Sequence, residues 1–372
     1  MHVLHVITGL LEHGAERMLV KTAIGLRAFG IESSVISLMP IAPLAEQMTQ
    51  AGISVYSLNL SRGQATLGSV SSLSKLIRRI NPDIIQGWMY HGNLAASLGA
   101  VIGQWGCPVV WNIRQTLYGL GHEKKLTRAV IRLSALTSRH PRKIIYNSSL
   151  SAQQHEDFGF PSSKTVLIPN GFDTGVFSPV EVDSRGSLSG GERLFVVGLA
   201  ARFHPMKDHA TFIKAAQIVL KNRKNVVFRL AGSGVDPGNA ALIRLISDAG
   251  LSESIELLGE QRDMVRFYQG LDALALPSAW GEAFPNVLGE AMSCGVPCVA
   301  TDIGDSQAII GETGFIVPPR APENLAESLI LLADEADAAR DARRVKCREK
   351  VIRHYDLSMV AGQYAELYCS LS

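Results

Sequence analysis

Short apolar runs alternate with stretches of helical periodicity along almost the whole chain. In the first half the runs fall at 3–7, 34–38, 55–58, 83–87, 109–111, 143–146 and 166–168. Helical patterning covers 16–28, 67–80, 93–102 and 123–138 between them. Apolar runs without polar alternation suit strands buried on both faces. Their alternation with helices predicts right-handed βαβ units and a parallel sheet. From Pro179 to Glu192 the pattern lapses into Ser, Gly and charge, ending in Gly190-Gly191, and reads as an interdomain linker. The alternation then restarts, with runs at 194–199, 226–231, 255–258, 273–276, 297–301 and 314–317. The expected fold class is α/β: a doubly wound first domain over 1–180, a second over 190–354 and a terminal helix within 355–372. Two such domains would set their strand ends about a shared cleft, the usual place for a ligand.

Composition narrows the class without choosing a function. The chain has 372 residues, 47% hydrophobic and 19% charged, with a net charge of +2. That is enough chain for two cores, and the near-neutral charge gives no whole-molecule attraction for nucleic acid. The five cysteines, Cys107, Cys294, Cys298, Cys347 and Cys369, are odd in number and form no metal-ligand cluster, so Cys294 and Cys298 read as small apolar packing. The amino-terminal run is short, lacks a basic leader and reads as a strand, and no apolar run is long enough to cross a bilayer. The expectation is a cytoplasmic protein, at most peripheral on the cytoplasmic face of a membrane.

Two carboxylates carry the sharpest chemical signal. Glu282 and Glu290 lie eight positions apart in the segment Ser278-Ala-Trp-Gly-Glu-Ala-Phe-Pro-Asn-Val-Leu-Gly-Glu-Ala-Met-Ser-Cys-Gly-Val-Pro297, directly after the run at 273–276. Pro285 suits the first turn of a helix, and Gly295 with Pro297 suits its end. Glu282 would then sit in a strand-to-helix loop and Glu290 in the second helical turn, at the carboxyl edge of the sheet. Carboxylates there can accept hydrogen bonds from sugar hydroxyls, while the free N–H groups of the helix start favour anions. Upstream, Gly198-Leu-Ala-Ala-Arg-Phe-His-Pro-Met-Lys-Asp-His209 places Arg202 and Lys207 in another strand-to-helix loop, where two cations can neutralise a diphosphate. Gly232 and Gly234 permit close backbone approach at a strand end, and Asp263 is as well explained by helix capping as by a ligand contact.

The segment from Leu276 to Pro318 resembles the signature region of glycosyltransferase family 4, the retaining nucleotide-sugar enzymes of GT-B fold: two facing Rossmann-like domains about a cleft. The resemblance implies that Glu282 binds the transferred sugar, that Glu290 binds the ribose, and that Ala283, Phe284, Pro285 and Asn286 line the donor. It implies that Arg202 and Lys207 hold the donor pyrophosphate, so that neither a cofactor nor a metal is needed. It also implies a terminal helix that packs back on the first domain. In that domain, Gly9-Leu-Leu-Glu-His-Gly-Ala-Glu-Arg17 is spaced wrongly for a dinucleotide fingerprint. It resembles the family's Gly-Gly-Ala-Glu loop, with His13 in place of the first Gly, and Gly14 is the donor contact carried over. His91 matches a cleft-facing histidine near the transferred sugar. Asn112 and Arg114, after the run at 109–111, are candidate acceptor or phosphate contacts.

The tract from Arg114 to Lys143 holds eight Lys and Arg against one acid, Glu123, a local charge of +7. Lys125, Arg128 and Arg132 recur at helical spacing, with Leu126, Val130 and Leu133 interleaved. A basic amphipathic helix suits an anionic membrane surface or a lipid-pyrophosphate acceptor; a solvated helix face is the plainer alternative. Nucleic acid lacks the aromatic platform it would stack on.

The expected activity is transfer of a hexose from a nucleotide diphosphate sugar to a hydroxyl of a growing, lipid-linked glycan in surface-polysaccharide (lipopolysaccharide or capsule) biosynthesis. A sugar-nucleotide epimerase, a glycan phosphorylase and a non-catalytic assembly subunit of the same fold are the rivals. The chain is short for a phosphorylase. An epimerase would convert donor with no acceptor present, and a non-catalytic subunit would bind partners but no nucleotide.

Overall fold

The computed structural model describes residues 1–61, 66–103, 106–117, 125–180 and 193–372. The chain divides into two compact units, one of Met1–Gly171 with Leu357–Ser372, the other of Phe172–Asp356. Among the described residues thirteen strands lie where the apolar runs place them. In the first unit these are β1 (His2–Ile7), β2 (Glu32–Ser37), β3 (Ser54–Ser57), β4 (Ile84–Trp88), β5 (Val109–Ile113), β6 (Lys143–Tyr146) and β7 (Thr165–Leu167). The second holds β8 (Phe195–Ala200), β9 (Val226–Ala231), β10 (Ile255–Leu257), β11 (Ala273–Leu276), β12 (Cys298–Thr301) and β13 (Phe315–Val317). The sheet orders are β3-β2-β1-β4-β5-β6-β7 and β10-β9-β8-β11-β12-β13, and all the pairings are parallel. Strands such as β4, β5 and β11 are buried at every position, which is why they read as mainly apolar runs without polar alternation, with Gln86 and Asn112 as buried polar exceptions. In each sheet the strand order reverses once, between β1 and β4 and between β8 and β11. Doubly wound sheets open a crevice at such points.

The boundaries differ from the sequence reading in three places. The first unit ends at Gly171 rather than 180, because Phe172 belongs to the second core: it stacks on Phe284, ring centroids 6.2 Å apart, and lies where a side chain at Gly289 would be. Residues 181–192 of the expected interdomain linker lie outside the described residues, and Pro179 and Arg193, on either side, both belong to the second unit. The passages between units are instead at Gly171 to Phe172 and Asp356 to Leu357. The helix expected over 93–102 runs from Met89 to Gly103, starting directly at the end of β4 with Met89 at φ +60°. Gly92 permits this start, since a Cβ there would fall on the Val6 carbonyl oxygen of β1.

The helix Leu357–Cys369 completes the first unit. Val360, Tyr364, Ala365 and Tyr368 are buried in the same core as Val3, Ile7 and Trp88. Its tyrosines also reach polar groups of the sheet: Tyr364 Oη accepts from Asn112 Nδ2 at 2.8 Å and from Arg114 at 2.9 Å, while Tyr368 Oη donates to Gln86 at 2.5 Å. Tyr364→Phe strands a buried amide donor and should cost about 1–3 kcal/mol in chemical denaturation. An unchanged midpoint would show that these bonds do not hold the helix.

Candidate active site

Both loops at the reversal point of the second sheet carry the residues singled out from sequence. After β8 the chain turns through Arg202 and a 3-10 turn, Pro205–Lys207, into the helix His209–Asn222. His204 and Asp208 hold the turn: His204 Nδ1 accepts from the Met206 amide at 3.1 Å, and Asp208, at φ +46°, caps the helix through the Thr211 amide at 3.1 Å. After β11 the chain passes Ser278 and Glu282 before the helix Asn286–Ser293. Backbone ties join the two loops. The Ala279 amide donates to the Met206 carbonyl at 2.8 Å, and Gly281, at φ +84°, leaves room for the Met206 side chain.

Lys207 donates to Glu282 across these loops. The pair is nearly buried, its side chains 16% and 10% exposed, and Glu282 also accepts from Ser278 Oγ at 2.6 Å. Gly304, at φ +63°, backs the Glu282 and Ala283 carbonyls so closely that no side chain fits. Arg202 is exposed and makes no hydrogen bond or ion pair to the other described residues. The site thus holds one cation compensated in place and one available to an incoming anion. Gly232 gains a structural role here: a side chain would collide with the backbone of Ala201 and Arg202, so its absence lets β9 support the Arg202 loop.

Glu290 sits in the second turn of its helix and accepts from the buried Tyr268 Oη at 2.9 Å. Burial and the adjacent Glu290 carboxylate hold the Tyr268 hydroxyl well above its usual value, so it stays a donor. Pro285 is the cap residue rather than part of the first turn; the helix begins at Asn286. Gly295 ends it as expected, at φ +73°, with its amide on the Met292 carbonyl and the Val296 amide on that of Ala291, both at 2.9 Å. Ala283, Phe284 and Pro285 are buried, and Phe284 packs against Phe172 and Tyr355, so what this stretch offers outward is backbone and the partly exposed Asn286. Asp263 accepts from the Arg266 amide at 3.0 Å, a helix cap.

In the first unit the loops after β1 and β4 meet the same topological condition. His13 precedes the helix Gly14–Gly25, whose start, with Gly14, is exposed. His91 lies within the first turn of the helix Met89–Gly103, not before it; it is exposed, and the surrounding protein lowers its pKa by desolvation. Asn112 and Arg114 face inward. Asn112 is fully buried, its backbone N–H and carbonyl bonded to the Asn93 side chain and its side-chain amide donating to Tyr364 Oη, while Arg114 binds Asn112, Asn170 and Tyr364 and stacks over Trp88 at 5.5 Å. Bonds to a residue some 250 positions away left no trace in the local sequence. Among the described residues no group of three or more His, Cys, Asp or Glu could hold a metal, and no helix is long and apolar enough to cross a membrane.

Residues 13–176 match the model of Glycosyltransferase Family 4, and residues 194–335 match that of Glycosyl transferases group 1. An Escherichia coli UDP-Gal:alpha-D-GlcNAc-diphosphoundecaprenol alpha-1,3-galactosyltransferase is 25% identical over 82% of this chain and 79% of its own. An exopolysaccharide phosphotransferase of Streptomyces coelicolor is 38% identical over 49% of this chain, which spans only 18% of that protein. Among solved structures, Anabaena Alr3699/HepE in complex with UDP superposes over 100% of both chains with a TM-score of 0.84 at 22% identity, a likeness of GT-B fold.

Proposed function

The chain belongs to glycosyltransferase family 4, and on that premise we propose that it transfers a hexose, with retention at the anomeric carbon, from a UDP-sugar to a hydroxyl of a lipid-linked glycan in surface-polysaccharide biosynthesis. The observation that carries the proposal is the grouping of Arg202, Lys207 and Glu282 at the reversal point of the second sheet, where ligands of such sheets bind. The donor base and the acceptor class take support from the Escherichia coli relative, whose name specifies UDP-Gal and a diphosphoundecaprenol-linked acceptor.

In this reading Arg202 makes the bidentate contact to the pyrophosphate. Lys207 adds a second cation, and the two replace the divalent ion that other such transfers use. Charge develops on the leaving phosphate as the glycosidic bond breaks, and fixed cations stabilise it most in a site that excludes water. Glu282 holds hydroxyls of the transferred sugar, Glu290 accepts from the ribose, and the acceptor attacks from the face the phosphate leaves, giving up its proton to that phosphate. Ala283 to Asn286 line the donor through their backbone. The chain would work at the cytoplasmic face of an anionic membrane, met through basic residues of the 114–143 tract.

The test is thermal unfolding with UDP-, GDP-, ADP- and CMP-sugars in EDTA. At a hundred times its dissociation constant the correct donor stabilises by about 2.7 kcal/mol. We expect a shift with UDP-sugars alone, lost in Glu290→Ala. A shift that requires added metal overturns the cation roles, and no shift with any donor overturns the enzyme reading in favour of a non-catalytic subunit.

A further inference from the structure

We propose that the helix Lys125–Thr137 is the membrane-insertion surface of the first unit, meeting an anionic bilayer with leucines as well as with charge. The proposal deepens the membrane contact assigned above, and it depends on that reading for its biological purpose but not for its physics. The helix buries Ile131 and Ser134 against the unit. On its outward side Leu126 is 62% exposed, Leu133 49% and Leu136 80%. With the exposed Ala129 they recur at spacings of three, four and three, which is one stripe of a helix. Lys125 and Arg132, both exposed, run along one edge of that stripe. The chain continues into Arg139, His140, Arg142 and Lys143, and no acid occurs from 125 to 143.

Water gains nothing by wetting three large leucines on one face, and soluble helices keep that face inward. An aliphatic stripe with cations along one edge and no acid on the helix fits a surface that is apolar inside and anionic at its rim, the arrangement of helices that lie in a lipid interface. A protein partner would have to supply both an apolar groove and a ring of carboxylates in register, whereas a fluid bilayer supplies both without shape matching.

The neighbouring helix Met89–Gly103, which packs against this one, exposes Leu98, Val101 and Ile102 near its end. Val101 also lines a depression of about 240 Å³ whose other walls include Cys107, Pro108, His140 and Arg142. The basic loop and the apolar helix end thus share one wall. Arg114 takes no part, since its guanidinium is turned into the unit's own hydrogen bonds.

Flotation of the full chain with phosphatidylcholine vesicles, with and without 30% phosphatidylglycerol, at low and high salt tests this. The expected result is binding to the anionic vesicles that high salt weakens without abolishing. The triple variant Leu126→Ser, Leu133→Ser, Leu136→Ser should bind at least tenfold more weakly, with unfolding midpoint and nucleotide-sugar shift unchanged. Wild-type flotation matched by the triple variant would reduce the contact to charge alone and overturn insertion. Failure of the wild type to float overturns the surface altogether. So does a self-association of the wild type that the triple variant abolishes without loss of flotation, which would mean a second copy covers the leucines. Flotation without any nucleotide-sugar shift would defeat the enzymatic reading and leave the surface standing.

Discussion

Lys207→Ala should lower kcat for sugar transfer by about 10²–10³-fold, the cost of one preorganised charge at a developing anion, roughly 3 kcal/mol. The substitution does two things at once, because the lysine compensates a nearly buried carboxylate. Glu282 keeps its bond from Ser278 but loses its counter-charge. Breaking a fully buried pair costs about 3–5 kcal/mol of stability, and the residual exposure of this one brings the figure lower. Lys207→Ala with Glu282→Gln, read against Glu282→Gln alone because Glu282 itself is placed on the sugar, separates the effects. It removes the uncompensated charge, so its unfolding midpoint should recover towards wild type while transfer remains lost. Full turnover in Lys207→Ala would end the phosphate role. Activity restored together with stability would show that the lysine only supports the fold.

Acid should unfold the chain well above the usual carboxylate range. Burial, reinforced by His2, lowers the pKa of His5 to about 3; burial likewise lowers His155 and His209 to about 4. The geometry of the first two suits the neutral ring. Trp88 donates to His5 Nδ1 at 3.1 Å, and His155, 2.7 Å from Tyr90 Oη, lies 2.6 Å from the Ser151 carbonyl, which fixes its Nδ1 as the donor. In the unfolded chain these histidines take up protons below about pH 6.5. Between there and pH 4 the unfolded state therefore binds more protons, and stability falls as pH falls, by about 1.4 kcal/mol per pH unit for each histidine. From pH 7 to 5 the first unit, with two of them, should lose about 4 kcal/mol and the second about 2. Denaturant titrations at pH 7, 6 and 5, followed through the buried Trp88 and Trp111, read the first unit. A free energy flat across that range would contradict the assignment. His155→Gln should halve the slope.

The strands were legible because parallel strands buried on both faces must be apolar, and the loops of the second unit because a short motif lies wholly within each. What escaped was set by partners far along the chain. Nothing near Asn112 or Arg114 announces Tyr364, so the fastening of the terminal helix through these two residues could not be read from the stretch after the strand. The Pro179–Glu192 segment read as an interdomain linker because composition does not report which core lies on either side. Phe172 decides the boundary through contacts with Phe284 and Gly289, more than a hundred residues away. The pairing of Lys207 with Glu282 likewise spans 75 positions, and only the sheet order brings them together.

Because Leu357–Ser372 supplies part of the first unit's core, the second unit is in effect an insertion within the first. On the ribosome, at roughly 5–20 residues per second, the first seven strands wait about ten seconds or more for the last piece of their own core, while the whole second unit can form ahead of it. A nascent first unit is thus the species most exposed to chaperones and proteases. A stop codon a few residues before Tyr364 would be felt in a sheet whose strands were made long before. Expressing the first unit alone would require splicing 357–372 onto 1–171, a cut and join that respects the core rather than the order of synthesis.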